Sequence, residues 1–223
     1  ISSGDHITAQ AVMWFSLSTY GVYYNYNIMR FIIGIDEVGR GCLAGPVTVV
    51  ALAIPPKFKV SSLKLKVPLR DSKKLSAKQR EEWFGHIKNH PKIVYARANV
   101  YPKTIDRINI SQAANLAATR ALRKLLATSG WRLGKKKLKV FLDGGLFVNE
   151  KALVASGYSL VARTVVRGDE KFTAIKLASI VAKVNRDRII SRNHRNFPVY
   201  GLAEHKGYGT RQHIRAIKKH GIC

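Results

Sequence analysis

The stretch FIIGIDEVGRG, residues 31–41, restricts this chain more than any other. An apolar run of strand length ends at two adjacent carboxylates, Asp36 and Glu37, and Gly39-Arg40-Gly41 follows almost at once. Glycines at that spacing deny both a helix and a packed strand. The segment therefore reads as a buried strand whose end presents two acids beside a backbone-rich turn. Acids are scarce: 13 Asp and Glu stand against 39 Lys and Arg, a formal charge of +26. Two of them side by side at a strand end, in so basic a chain, point to a cation held against phosphate.

That charge attracts polyanions, and nucleic acid is the leading partner. Membrane surface binding would need a long basic helix with an aromatic or leucine face, and none is present. No apolar run approaches the roughly 18 residues that span a bilayer. Cys42 and Cys223 fall in no zinc or redox spacing, so a reducing cytoplasm is the expected compartment. The 223 residues suit one domain with a small appendage. Residues 1–28 hold no Lys or Arg and cluster aromatics, so they read as an extension, with the functional domain spanning 29–223.

From Met29 on, the periodicity is α/β. Strands are predicted at residues 31–35, 46–54, 93–100, 138–142 and 158–166. Helices are predicted at 76–88 after a Ser cap, at 104–127 ending before Gly130, at 172–190, and at 210–219 after a Thr cap. Short links between the first three strands suggest a meander, and the long helix before the fourth can return it beside the first. The result is a mixed five-stranded sheet flanked by helices, with further helices at the C-terminus.

This topology would gather acids. Asp143 closes the fourth strand before Gly144-Gly145, and Asp169 follows Arg167-Gly168 after the fifth. Singly, Asp143 also reads as a turn former and Asp169 as a helix cap. With Asp36 and Glu37 they make a set that repels itself when ionised and becomes favourable around hard divalent cations. Gly39, Arg40 and Gly41 form neither a Walker loop nor a dinucleotide fingerprint, but glycine-rich backbone approaches sugar and phosphate closely. Lys73 and Lys74 are candidate phosphate contacts or a solvated pair. Tyr208, between Gly207 and Gly209, is a candidate stacking surface or a loop pin. Asp187 reads as the structural partner of a nearby Arg, while Arg120, Arg123, Lys124 and the lysines at 135–137 read as solvated surface.

Taken together, GIDEVGRG, LAGPV, DSKKLS, IDRINI, LDGG, RGDEK, LASIVAKVNRDR and YGLAEHKGYGT occur in an order that resembles the ribonuclease HII family, within the ribonuclease H-like fold. The resemblance covers nearly everything from Phe31 to Gly221. It implies an endonuclease that cuts the RNA strand of RNA–DNA hybrids and incises 5′ of single ribonucleotides in duplex DNA, in ribonucleotide excision repair. The products would carry 3′-hydroxyl and 5′-phosphate ends. It implies a monomer that uses Mg²⁺ or Mn²⁺, two ions with substrate bound, on Asp36, Glu37, Asp143 and Asp169. It also assigns ribose reading to Gly39, Arg40 and Gly41, junction stacking to Tyr208, and a phosphate contact to one of Lys73 and Lys74.

Three departures stand out. Cys42 replaces the usual Pro, Gly145 follows Gly144 where Asn is common, and the chain stops at Cys223 before the usual basic C-terminal stretch, as a truncated chain would. On residues alone two other readings stay open. A non-catalytic nucleic-acid-binding protein explains the charge but not four acids at strand ends. A DNA-junction nuclease of the same fold needs the acids but gives no reason for the glycine loop with Tyr208.

Overall fold

The computed structural model describes residues 31–133, 138–150 and 160–222. The extension expected at 1–28, the lysines at 135–137, Cys223 and the start of the strand expected at 158–166 lie outside them. The strands are β1 (Ile32–Val38), β2 (Val47–Ile54), β3 (Val94–Val100), β4 (Leu138–Asp143) and β5 (Leu160–Val165). They form one sheet in the order β3-β2-β1-β4-β5. The first three make the expected antiparallel meander, and β4 lies parallel to both β1 and β5. A parallel neighbour requires a crossover. Helices α2 (Pro102–Ile108) and α3 (Ile110–Leu133) supply it, carrying the chain from the β3 edge to the far side of β1.

The single helix expected over 104–127 is thus two. Asn109 adopts a left-handed φ of 63° between them, and its side-chain oxygen accepts from the Gln112 amide at 3.0 Å. One residue therefore ends the first helix and caps the second. Nor does α3 stop before Gly130. A helical glycine costs only about 1 kcal/mol, too little to end a helix already held on the sheet by Ala113, Ala117, Ala121 and Leu125.

Helix α1 (Ala77–Asn89) begins at the expected Ser76, whose side chain and that of Gln79 cap each other's backbone amides. After β5 come a four-residue turn, α4 (Gly168–Lys171), and α5 (Thr173–Asn196), which outruns the predicted end at residue 190. Two C-terminal helices, α6 (Leu202–His205) and α7 (Arg211–His220), gather around Ile190, Tyr200 and Leu202.

The interior strand β2, between β3 and β1, is buried along all eight residues because both sheet faces are covered. Ile33, Ile35, Val49 and Val140 pack under α3. Val50 and Leu52 pack under α1 and α5, against Trp83, Ile87, Leu177 and Val181. The start of α5 lies directly on β1. A Cβ at Gly34 would fall 2.2 Å from the Ala174 carbonyl carbon and 2.3 Å from the Ile175 nitrogen. Asp36 shares the strand parity of Gly34 and so faces the same helix. No helix among the described residues is long and apolar enough to cross a membrane.

Candidate active site

The register of β1 on β4 pairs Ile35 with Leu142, so Asp36 and Asp143 are the next residues at the same ends of two parallel neighbours. Asp36 is 4% exposed. Its Oδ1 accepts from the Glu37 amide at 2.7 Å. The Ser179 side chain of α5 stands close enough to the Asp36 carboxyl to favour its ionisation, and Ser179 Oγ lies 2.8 Å from Ser72 Oγ. Asp143 Oδ1 accepts from the amides of Gly168 at 2.6 Å and Asp169 at 3.3 Å. Asp169 is therefore fastened beside Asp143 by its own backbone. It is buried within the first turn of α4, whose N-cap is Arg167 at φ 54°, and is not itself the cap.

The electrostatics follow from this crowding. Burial, then the charges of Glu37 and Asp143, push the Asp36 carboxyl well above its ordinary range; Ser179 and the hydrogen bond from the Glu37 amide only partly oppose this. Burial also raises Glu37, against Arg40, whose Nε is 3.3 Å from Glu37 Oε1. Asp169 is raised by burial, then by Asp143 and Asp71.

Among the described residues no three acidic, imidazole or thiol side chains close into a ready-made metal cage. Asp143 is turned toward the α4 amides and Glu37 toward Arg40. The donor chemistry nevertheless fits a hard divalent cation. All four groups are carboxylates, the Asp143 charge disfavours ionisation of the other three, and Glu37 Oε2 is buried with no hydrogen-bond partner among the described residues.

The candidate substrate residues border this cluster. The Arg40 guanidinium reaches within 3.8 Å of where a Gly145 Cβ would stand, which brings the 39–41 loop over the turn after Asp143. Cys42 forms an isolated antiparallel bridge with Tyr208, and Leu43 N–H donates to the Gly207 carbonyl at 2.8 Å. Tyr208 is 37% exposed, with Lys183 Nζ 5.2 Å from its ring centroid. The lysine pair divides. Lys73 lies close enough to favour ionisation of Glu37 and Asp169, whereas Lys74 lines an outer depression with Arg70, Glu170 and Lys176.

A family model described as ribonuclease HII matches residues 33–223. The chain belongs to the ribonuclease HII family. It is 43% identical over 202 residues to the ribonuclease HII of Endomicrobium trichonymphae, covering 90% of this chain and 85% of that one. The crystal structure of the ribonuclease H2 from Pyrococcus horikoshii OT3 matches with a TM-score of 0.64 at 25% identity, over 86% of this chain and 90% of that one. A structure of Bst-RNase HIII in complex with Mn²⁺ shares the fold, with a TM-score of 0.58 at 16% identity over 95% and 73% of the two chains. Membership makes the protein an endoribonuclease of the ribonuclease H type, acting on the RNA strand of RNA–DNA hybrids.

Several residues that shape this site carry no sequence signal of their own. Ser72 and Ser179 are ordinary small polar residues until α5 lays Ser179 between Asp36 and the 72–74 turn. The Asp71 carboxylate caps that turn by accepting from the Lys73 amide at 2.9 Å. Asp187 is structural as expected, but its nearest partner is Lys183 at 2.9 Å, with Arg80 of α1 at 3.7 Å. Arg80 also donates to the Ser72 carbonyl at 3.0 Å, tying the lysine turn to α5.

The raised carboxylates make a stability prediction. A carboxyl whose folded pKa exceeds its unfolded value binds more protons when folded, so its contribution is fully present below the unfolded pKa and is lost as pH rises through the folded one. In EDTA, Asp36→Asn removes the largest such liability. The thermal stability of the variant minus that of the parent is expected to grow as pH rises above the ordinary carboxyl value of 3.8, and then to level off. Adding Mg²⁺ should shrink the difference. A difference that is flat with pH in EDTA would show that Asp36 carries no such penalty.

Proposed function

We propose that this protein incises the strand on the 5′ side of a ribonucleotide, in RNA–DNA hybrids and at single ribonucleotides in duplex DNA. Asp36, Glu37, Asp143 and Asp169 would hold Mg²⁺ or Mn²⁺, two ions once substrate is bound, working in a cytoplasmic monomer. Bound there, the ions would supply a nucleophilic water and charge neutralisation at the leaving oxygen. A water oxygen joins phosphorus and the P–O3′ bond breaks, leaving a 3′-hydroxyl and a 5′-phosphate.

The residues of the chain divide the remaining work. Gly41, where a Cβ would meet nothing within 4 Å, leaves backbone open to a ribose 2′-hydroxyl, the group that distinguishes RNA from DNA. Arg40 lies between that backbone and Glu37. Tyr208 offers its half-exposed ring to the sugar or base across the RNA–DNA junction. Lys73, on the side of Glu37 and Asp169, would approach the phosphate being cut, with Lys74 on the flanking backbone.

One observation carries this reading: the Cys42–Tyr208 bridge joins the loop leaving the acid pair to the loop bearing the aromatic ring. Ribose reading and stacking then share one surface beside the carboxylates. The test uses a DNA duplex bearing one ribonucleotide, an RNA–DNA hybrid and an all-DNA duplex, each with Mg²⁺, Mn²⁺ or EDTA. A single nick 5′ of the ribonucleotide with a 3′-hydroxyl end is expected, and none in EDTA. Tyr208→Ala should lower kcat/KM on the single-ribonucleotide duplex by about 10- to 100-fold, the range set by one lost stacking contact. Cutting of all-DNA duplex, or cutting that survives EDTA, would overturn the reading.

A further inference from the structure

We propose that Arg186 is the positioning residue that fastens the ribose-reading loop to the Tyr208 loop, so that the two recognise substrate as one surface. The proposal rests on the ribose-reading and stacking roles proposed for those loops. Arg186 sits in the middle of α5 and is fully buried. Its hydrogen-bond partners are three backbone carbonyls. Nε donates to Pro46 at 3.1 Å, Nη2 to Ala44 at 2.9 Å and Nη1 to Lys206 at 2.7 Å. Two of these lie on the segment leaving Gly39–Gly41 and the third on the segment entering Tyr208. Its Cζ is 5.8 Å from the Tyr208 ring centroid.

A buried cation is costly unless its donors are satisfied. Here the acceptors diverge along the planar fork of a guanidinium, a geometry that an ammonium cannot reproduce. The adjacent acid is engaged elsewhere, since Asp187 pairs with Lys183 and Arg80. Arg186 therefore spends its donors on holding two loops and leaves its charge behind the Tyr208 ring.

Two glycines make room for it from opposite sides. At Gly39, φ 110°, a Cβ would lie 2.7 Å from both Arg186 Nε and the Pro46 carbonyl oxygen. At Gly207, φ 82°, it would lie 2.5 Å from the Ala44 oxygen and 3.4 Å from Arg186 Nη2. The two glycines of Gly39-Arg40-Gly41 thus serve different ends: Gly39 admits the guanidinium, and Gly41 stays open on the outside. With Arg186 in place, the Leu43 and Ala44 amides both donate to the Gly207 carbonyl, at 2.8 and 3.3 Å, and the seam between the loops closes.

The test is Arg186→Lys, alone and combined with Tyr208→Ala, with two readouts. The first is hydrogen exchange at the Leu43 and Ala44 amides without substrate or metal. The second is kcat and KM on the single-ribonucleotide duplex. Protection of both amides is expected to fall at least about tenfold while the amides of β2 keep theirs. The kcat/KM is expected to fall about tenfold in Arg186→Lys yet hardly further when Tyr208→Ala is already present, because both changes remove the same surface. If Arg186→Lys does not fold, Gly39→Ala crowds the guanidinium with Arg186 in place and should give the same loss of protection.

Unchanged protection at Leu43 and Ala44 overturns the fastening role. Losses in kcat/KM that multiply independently overturn action through Tyr208. If Tyr208→Ala alone leaves cleavage intact while Arg186→Lys loses protection, the fastening stands and the functional reading of the ring falls.

Discussion

Asp36→Asn is expected to lower single-turnover cleavage on the order of a thousandfold or more with the fold intact. Asn matches Asp in shape and can keep the hydrogen bond from the Glu37 amide, so the strand need not move. What disappears is the charge. Asp36 is the most deeply buried of the four carboxylates and lies where β1, β4 and α5 meet, so no neighbour can take its place in the proposed cation site. The same change relieves the repulsion from Glu37 and Asp143, so the inactive variant should melt higher than its parent in EDTA.

Asp143→Asn should lose as much activity without that gain. Its carboxylate anchors the Gly168 and Asp169 amides, and a neutral amide oxygen accepts those bonds less strongly. Cleavage and thermal unfolding measured on both variants separate the two roles. Activity within tenfold of the parent in either would remove that residue from the proposed catalytic set.

The second large effect concerns stability. Gly34→Ala is expected to cost about 3 kcal/mol or more, a fall in Tm of roughly 6–12 °C for a domain of this size. The added methyl meets backbone, not side chain: the Ala174 carbon at 2.2 Å, the Ile175 nitrogen at 2.3 Å and the Ala174 oxygen at 2.6 Å. No rotamer change relieves that, so the start of α5 has to lift from β1. Lifting it also draws Ser179 away from Asp36 and disturbs the α4 entry that holds Asp169, so the folded fraction should cut poorly as well. Gly41→Ala is the control. Its Cβ meets nothing within 4 Å, and its Tm should stay within about 2 °C of the parent. A Gly34→Ala protein as stable as that control would show that β1 and α5 are not so tightly apposed.

Much of this was legible in the chain because the signals were local. Alternation and apolar runs marked all five strands, and Ser76 and Thr210 marked two helix starts. The abrupt change from apolar to acidic residues marked where β1 parts from β4 but not where it ends: the strand expected to stop at residue 35 runs on through Asp36 and Glu37 to Val38, held by its pairing with β2. Errors arose where tertiary contact overrode a local cue. Gly130 did not stop α3, because packing on the sheet outweighs one helical glycine. Asn109 did break a helix, because it could take a left-handed conformation and still cap the start of α3. The choice between Lys73 and Lys74 depends on which way a single turn faces, and spacing says nothing about that.

Thus the sequence by itself determined the succession of strands, the basic field and the four acids proposed for the site, since each depends only on residue type and short-range spacing. The tertiary structure decided what those acids do to one another and how the surrounding loops are held. Asp36 meets Asp143 only because the crossover through α2 and α3 sets β4 beside β1 in a register whose last pair, Ile35 with Leu142, is followed by both acids. Arg186, indistinguishable on paper from its charged neighbours on α5, becomes a three-way tie only because two loops separated by more than 150 residues bring their carbonyls to it. Burial and direction come from the whole fold, and a linear pattern encodes neither.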